Sequence, residues 1–181
     1  MTPRRAYGDD GGTTLVELIV YIFASGLFVG LLALLFVNGL AAQQQTTERD
    51  RATGSINVVS ASLQSSIRNA TDVAVDGSGR RIDAVVITPS GAFECRSWAL
   101  DPTGALRYSA GESARDAAPG GWRVLVDGAV GTLAGGAAFA AHGSRGIDVG
   151  ISVSVGDSKV AMTNGVTAQA VATAGGAPAC W

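Results

Sequence analysis

The sequence predicts an α+β fold: one long N-terminal helix, a membrane half followed by an amphipathic half, packed on a C-terminal antiparallel β-sheet. Three observations carry that expectation. Residues 18–37 form an uncharged and overwhelmingly apolar run, Ile56, Val59, Leu63 and Ile67 recur at helical intervals, and from Ile82 onward the apolar pattern switches to period two.

The chain opens with a short polar leader, residues 1–12, that carries Arg4, Arg5, Asp9 and Asp10. No charge then occurs between Glu17 and Glu48. Twenty residues at about 1.5 Å each match a hydrocarbon core of about 30 Å, and the run lacks the polar face of a helix half-buried in a soluble domain. Arg4 and Arg5 favour a cytoplasmic N-terminus, although Arg49 and Arg51 beyond the far end oppose them. On these residues alone three readings stay open. They are a secretory signal cut near residues 39–42, an uncut signal anchor, and a buried helix. None of them explains a lone glutamate, Glu17, at the head of the run just after a Gly-Gly pair.

After a polar Gln43-Gln44-Gln45 tract the apolar stripe of residues 56–67 extends the helix over about 13–69, roughly 85 Å if unbroken. A break at Gly54 is the alternative. Strands are expected at 82–88, 93–100 and 106–109, punctuated by Pro89-Ser90-Gly91 and Pro102-Thr103-Gly104. Ile147, Val149, Ile151, Val153 and Val155 alternate with Asp148, Gly150, Ser152 and Ser154, which marks a strand with one wet face. Gly156-Asp157-Ser158 then turns the chain into a partner strand at 159–162. Residues 111–121 read as a loop and 172–178 as a flexible tail.

Composition narrows the chemistry. Of 181 residues, 13 are Lys or Arg against 15 Asp or Glu, and no basic cluster stands out, so binding of nucleic acid through bulk charge is not expected. One His and two Cys rule out His-rich metal sites and four-cysteine zinc sites. His142, Ser144 and Asp148 lack any nucleophile motif, so no catalytic residue is assigned and His142 reads as an exposed loop residue. The acidic stretch 72–83 lacks the ligand spacing of a calcium loop and contains two arginines, so it reads as a polar turn. No cofactor or metal is expected. Trp98, Trp122 and Trp181 read as packing residues, and the Asn69-Ala70-Thr71 sequon carries no weight.

Gly11-Gly12-Thr13-Thr14-Leu15-Val16-Glu17-Leu18 resembles the cleavage and methylation motif of the type IV prepilin family. The resemblance implies that a prepilin peptidase cuts between Gly12 and Thr13 and methylates the new amino group of Thr13. The family uses the carboxylate at the position of Glu17 to pair with the charged N-terminus of a neighbouring subunit. A carboxylate in lipid costs about 2.5 kcal/mol or more, so an ammonium partner would draw the subunit towards assembly. Two positions depart from the family pattern: Thr13 stands where Phe or Met is usual, and Leu34 stands near a common proline position. Ala24, Ser25, Gly26 and Gly30 are small enough to let neighbouring helices approach closely.

The segment with Cys95, then Leu106-Arg107-Tyr108, then residues 122–126 is similar to W-type minor pilins and J-type minor pseudopilins. The expected organisation is a leader at 1–12, a transmembrane and filament-core helix at 13–42, its amphipathic continuation at 43–70, and an extracytoplasmic β-rich head at 71–181. The implied role is to initiate or cap a type IV pilus-like filament serving adhesion, motility, DNA uptake or secretion. Implied partners are other pilin or pseudopilin subunits, the prepilin peptidase, an inner-membrane assembly platform, and membrane lipid before assembly. Implied location is the cell membrane, single-pass with a cytoplasmic N-terminus, then an extracellular pilus or a periplasm-spanning pseudopilus. The rival reading is an anchored or signal-peptide-exported binding domain outside any filament. Export would place Cys95 and Cys180 in an oxidising space, where they bridge or where Cys180 stays free to pair between subunits.

Overall fold

In the computed structural model, which describes residues 14–171 and 178–181, the chain begins as a single helix, α1 (Leu15–Arg68). Thr14 caps it. The Thr14 carbonyl accepts from the Leu18 N–H at 3.1 Å, and its hydroxyl accepts from the Glu17 N–H at 3.3 Å. Thr14 and Glu17 thus occupy the first and fourth places of a capping-box sequence, a signal the apolar run draws attention away from. Gly54 does not break the helix. The start expected at residue 13 lies outside the described residues.

The chain divides into two compact units, residues 1–44 and 45–181. In the first, every described residue is exposed. In the second, α1 buries a stripe, Ala52, Ile56, Val59, Leu63, Ser66 and Ile67, against two antiparallel sheets.

The first sheet is a meander in chain order: β1 (Ala70–Val75), β2 (Arg81–Ile87), β3 (Phe93–Leu100), β4 (Leu106–Gly111) and β5 (Arg123–Val126). Consecutive strands pair because each link is short enough for a hairpin or a brief loop. The second sheet contains β6 (Ala129–Gly131), β7 (Phe139–His142), β8 (Gly146–Val155) and β9 (Ser158–Thr167). Its organiser is β8, which pairs along its whole length with β9 on one side and is shared by β6 and β7 on the other. That double burden explains its pattern. A strand with neighbours on both edges and a helix-covered face buries more than alternate residues, and β8 buries seven of its first eight.

Several elements correct the sequence expectation. The expected single sheet is two. The helix ends at Arg68 rather than continuing to residue 70, because Ala70 already pairs with Val86 in β1. Part of the stretch 72–83 expected as a polar turn is therefore strand, with the turn confined to residues 76–80. β6 and β7 arise where no strand was expected, β9 runs on to Thr167 rather than stopping at Met162, and His142 ends a strand rather than sitting in a loop. The proposed tail at 172–178 lies outside the described residues except for Pro178.

The β1–β2 turn docks onto the second sheet at Gly79, whose carbonyl accepts from both Ala138 and Phe139 N–H groups at 2.9 Å. Gly79 is required there: its φ is +65°, and a Cβ would lie 2.6 Å from the Ala137 side chain. The core between helix and sheets centres on Leu63, Ile67, Trp98, Leu106, Phe139 and Ile151. Each such side chain contributes about 1.5–3 kcal/mol by leaving water.

Candidate functional site

The N-terminal candidate site divides at residue 14. Gly12 and Thr13, the expected cleavage and methylation positions, lie outside the described residues. Glu17 is the third residue of α1 and is exposed. Its carboxylate makes no hydrogen bond or ion pair among the described residues, and its position in the first turn suits the positive end of the helix dipole.

The small residues separate into two sets. Gly26 and Gly30 lie four apart on one face, where with Ile22, Phe23, Leu27, Leu31 and Leu34 they line a shallow apolar groove of about 590 Å³. A Cβ added at either glycine would meet nothing within 4 Å. Packing among the described residues therefore does not require glycine at either position. Ala24 and Ser25 do not line this groove. Phe23, Phe28 and Phe36 remain more than 60% exposed.

In the head, Cys95 on β3 and Cys180 form a disulfide with a Cα–Cα distance of 5.4 Å. Both cysteines are buried and pack with Val85 and Phe93. The bridge ties the chain's penultimate residue to the middle of the first sheet, yet Trp181 beside it stays half exposed. Trp98 is fully buried, donates its indole N–H to Ser62 Oγ at 3.3 Å, and packs on Tyr108 with ring centroids 5.2 Å apart. Burial pushes the Tyr108 hydroxyl pKa up, with Arg96 opposing. Trp122 is buried beneath the Arg81 guanidinium, 5.0 Å from the ring centroid.

The head's carboxylates are occupied by the fold itself. Asp83 takes a forked contact from Arg81 and accepts from Ser97 Oγ, while the same Arg81 reaches the carbonyls of Asp116 and Arg115 at 2.8 and 3.1 Å. Arg81 thereby pins the 112–118 loop against β2. Asp76 receives N–H groups from Ser78, Arg80 and Arg81 and the Ser78 hydroxyl. Burial would raise its pKa, but these donors together outweigh burial and lower it. Asp101 closes the β3–β4 turn. The Thr103 hydroxyl and the Arg107 guanidinium, helped by the N–H groups of Ala105 and Thr103, overcome burial and hold its carboxyl well below the usual range. The carboxylates of the 72–83 stretch are thus engaged by turns and an arginine rather than converging on a common point. Among the described residues no cluster of three His, Cys, Asp or Glu side chains has the arrangement of a metal site.

His142 and Asp148 do come together, Nδ1 to Oδ2 at 3.2 Å across the β7–β8 hairpin, with the histidine side chain 76% exposed. Ser144 lies in the intervening turn and makes no hydrogen bond to either. An exposed pair without a nucleophile in line lacks the oriented relay that acyl transfer needs.

Sequence reasoning passed over one cleft. Gln45, Thr46 and Arg49 of α1 and Asp157, Ser158 and Lys159 of the β8–β9 hairpin line an open polar cleft of about 470 Å³. Glu48 at its edge accepts from the Asp157 N–H at 3.1 Å, and Ser158 Oγ donates to the Gln45 carbonyl at 3.4 Å. Gly156, with φ +56°, starts the two-residue turn and leaves room for the Glu48 carboxylate. The residues are 109 positions apart in the chain, and no local pattern links them. Compared with family models, with curated proteins and with solved structures, the chain finds no match.

Proposed function

We propose that the chain is a minor pilin or pseudopilin precursor, a non-enzymatic subunit that initiates or caps a type IV pilus-like filament. One observation carries the reading most: a helix of 54 residues whose apolar N-terminal stretch buries nothing, headed by the Gly12-Thr13 and Glu17 motif. That stretch is long and apolar enough to cross a membrane, and its exposed side chains need lipid or neighbouring helices in place of water. Lipid covers it first and other subunits cover it after assembly, with the Gly26–Gly30 groove as the contact face. A head closed by an internal disulfide suits an exported, oxidising location. In this reading the N-terminus is cytoplasmic before processing, prepilin peptidase releases residues 1–12, and the assembly platform lifts the subunit out of the membrane. Glu17, which has no partner among the described residues, pairs with the methylated amino group of a neighbour's Thr13.

Two measurements in a host with a prepilin peptidase test it. N-terminal sequencing and mass of the membrane-extracted protein are expected to give a chain starting at Thr13 and carrying one methyl group. A start near residue 42 or an intact Met1 counts against prepilin processing. Glu17→Ala is expected to abolish or cripple filament assembly while membrane insertion persists. Normal assembly of that variant would sink the role given to Glu17.

A further inference from the structure

We propose that the free edge of β9 is a pairing surface for a second copy of this chain, the two β9 strands running antiparallel about Thr163 so that the second sheets of two heads join into one. The inference lies wholly within the head and stands independently of the N-terminal motif. It starts from the direction of the backbone groups. A two-residue turn, Gly156-Asp157, joins β8 to β9, so the closing pair Val155 and Ser158 exchanges hydrogen bonds and every second residue after Ser158 also bonds to β8. The Ala168 N–H keeps this parity just past the strand, donating to the Arg145 carbonyl at 2.9 Å. Lys159, Ala161, Thr163, Gly165 and Thr167 therefore turn their N–H and C=O groups away from β8. Among the described residues none of these groups has a partner, and the open stretch ends where the Gln169 N–H meets the Arg68 carbonyl at 3.1 Å. Ala161 and Gly165 are exposed, and with one methyl group between them what they expose is mainly backbone.

The other outer strands are protected against such pairing. β1 carries a register shift between Ala70 and Asp72, β5 has four residues and a shift in its pairing with β4, and β6 and β7 have three and four residues. Shortness and irregularity are how natural sheets block edge-to-edge contact. β9 has neither: it runs ten residues in unbroken register with β8, contains no proline and carries one charge, Lys159, near its start.

The order of residues along the edge selects a second copy as the occupant. With Thr163 facing the partner's Thr163, Ala161 faces the partner's Gly165 and Lys159 faces the partner's Thr167. The five outward pairs exchange about ten hydrogen bonds. The two lysines fall at opposite ends, about 27 Å apart at about 3.4 Å per residue, so no like charges meet. On the other face Val160 stands opposite the partner's Val166, a β-branched pair of the kind that stabilises antiparallel strands. Sliding the partner by two residues in either direction leaves one outward residue of each strand unpaired.

The test uses the full chain in detergent at about 100 μM, where a Kd of micromolar order gives mostly dimer. Both native cysteines are held in the Cys95–Cys180 bridge, so a cysteine introduced for a nitroxide label is the one free thiol. Labels at Thr163→Cys are expected to broaden each other's spectra at close range, whereas labels at Lys159→Cys are expected to lie about 27 Å apart, altered only by their tethers. A monomer by sedimentation, or a dimer without coupling at Thr163→Cys, overturns the proposal. Close coupling at both positions means parallel strands and overturns it too. Thr163→Pro removes an outward N–H without touching a bond to β8, so it is expected to abolish the dimer while the head's unfolding midpoint holds, and Thr163→Val is expected to keep the dimer. A folded Thr163→Pro chain that remains dimeric places the contact elsewhere, on the exposed N-terminal helix first of all, and the edge pairing falls. If the proline variant fails to fold, the two label positions decide the matter alone. A monomer whose Gly165 amide resists hydrogen exchange would show that another part of the same chain covers the edge, which equally overturns the second-copy proposal.

Discussion

The two ends of α1 answer the same physical problem in opposite ways. Residues 14–47 expose every side chain, so Leu32 is 49% accessible, whereas about nine turns later Leu63 on the same helix is 2% accessible. Both leucines sit in well-formed helix, and the difference lies in what covers them. Leu63 belongs to a stripe one helix-face wide whose partners, Trp98, Phe139 and Ile151, are encoded in this chain. Leu32 belongs to a helix apolar on all sides, which no single sheet could cover. The contrast teaches that the second region is covered by its own fold, whereas nothing among the described residues covers the first.

Cutting the disulfide is the hardest blow to the self-sufficient side of this contrast. Cys95→Ser with Cys180→Ser opens a loop of 85 residues, and the head is expected to lose about 4–5 kcal/mol of stability on the chain-entropy view. Denaturant unfolding followed by tryptophan fluorescence, the variant against the unaltered disulfide-bonded chain, measures this. A loss below 1 kcal/mol would mean that the tail contributes little once the sheets have formed.

A sharper probe uses one substitution twice. Leu63→Ala removes a fully enclosed side chain and is expected to cost the head about 2–5 kcal/mol, while Leu32→Ala leaves the head's unfolding midpoint where it was. Equal effects in the same detergent would erase the distinction between the two regions.

Acid titration tests the polar scaffolding, with the smallest expected effect. The Asp101 carboxyl is depressed in the folded head, so the charged form stabilises the fold above the ordinary carboxylate range. That contribution fades as pH falls from about 4 towards the lower folded value. Asp101→Asn is expected to lower stability at neutral pH and to flatten the acid side of the stability profile. An unchanged profile would show that the Thr103 and Arg107 contacts add nothing net.

How far the sequence could be read varies with how local the signal is. β3 falls at the expected residues, 93–100, because its pattern is flanked by Pro-bearing turns that set both ends. β8 is equally visible through five alternating β-branched residues. β6 and β7 are not, since Ala-Val-Gly and Phe-Ala-Ala-His are too short and too rich in alanine and glycine to favour a strand. They are strands because β8 offers its free edge. β1 was obscured in the same manner: Asp72 and the turn at Asp76 suggest a loop, and pairing with β2 overrides them. At the candidate site, Glu17 and the glycines were visible as a linear motif. That Gly26 and Gly30 line one apolar groove while Ala24 and Ser25 do not was visible only on a helix in three dimensions.

What the sequence determined by itself is therefore what neighbours a few residues apart can specify: an uncharged run long enough for a bilayer, the apolar stripe that follows it, and the alternation of the longer strands. These patterns depend on helical and extended periods, which are properties of the local backbone. Tertiary structure alone decided that the strands divide between two sheets, that Arg81 serves the 112–118 loop, and that Arg49 and Lys159 line one cleft. Those pairings join segments tens of residues apart, and their choice depends on which surfaces the closed core leaves facing one another.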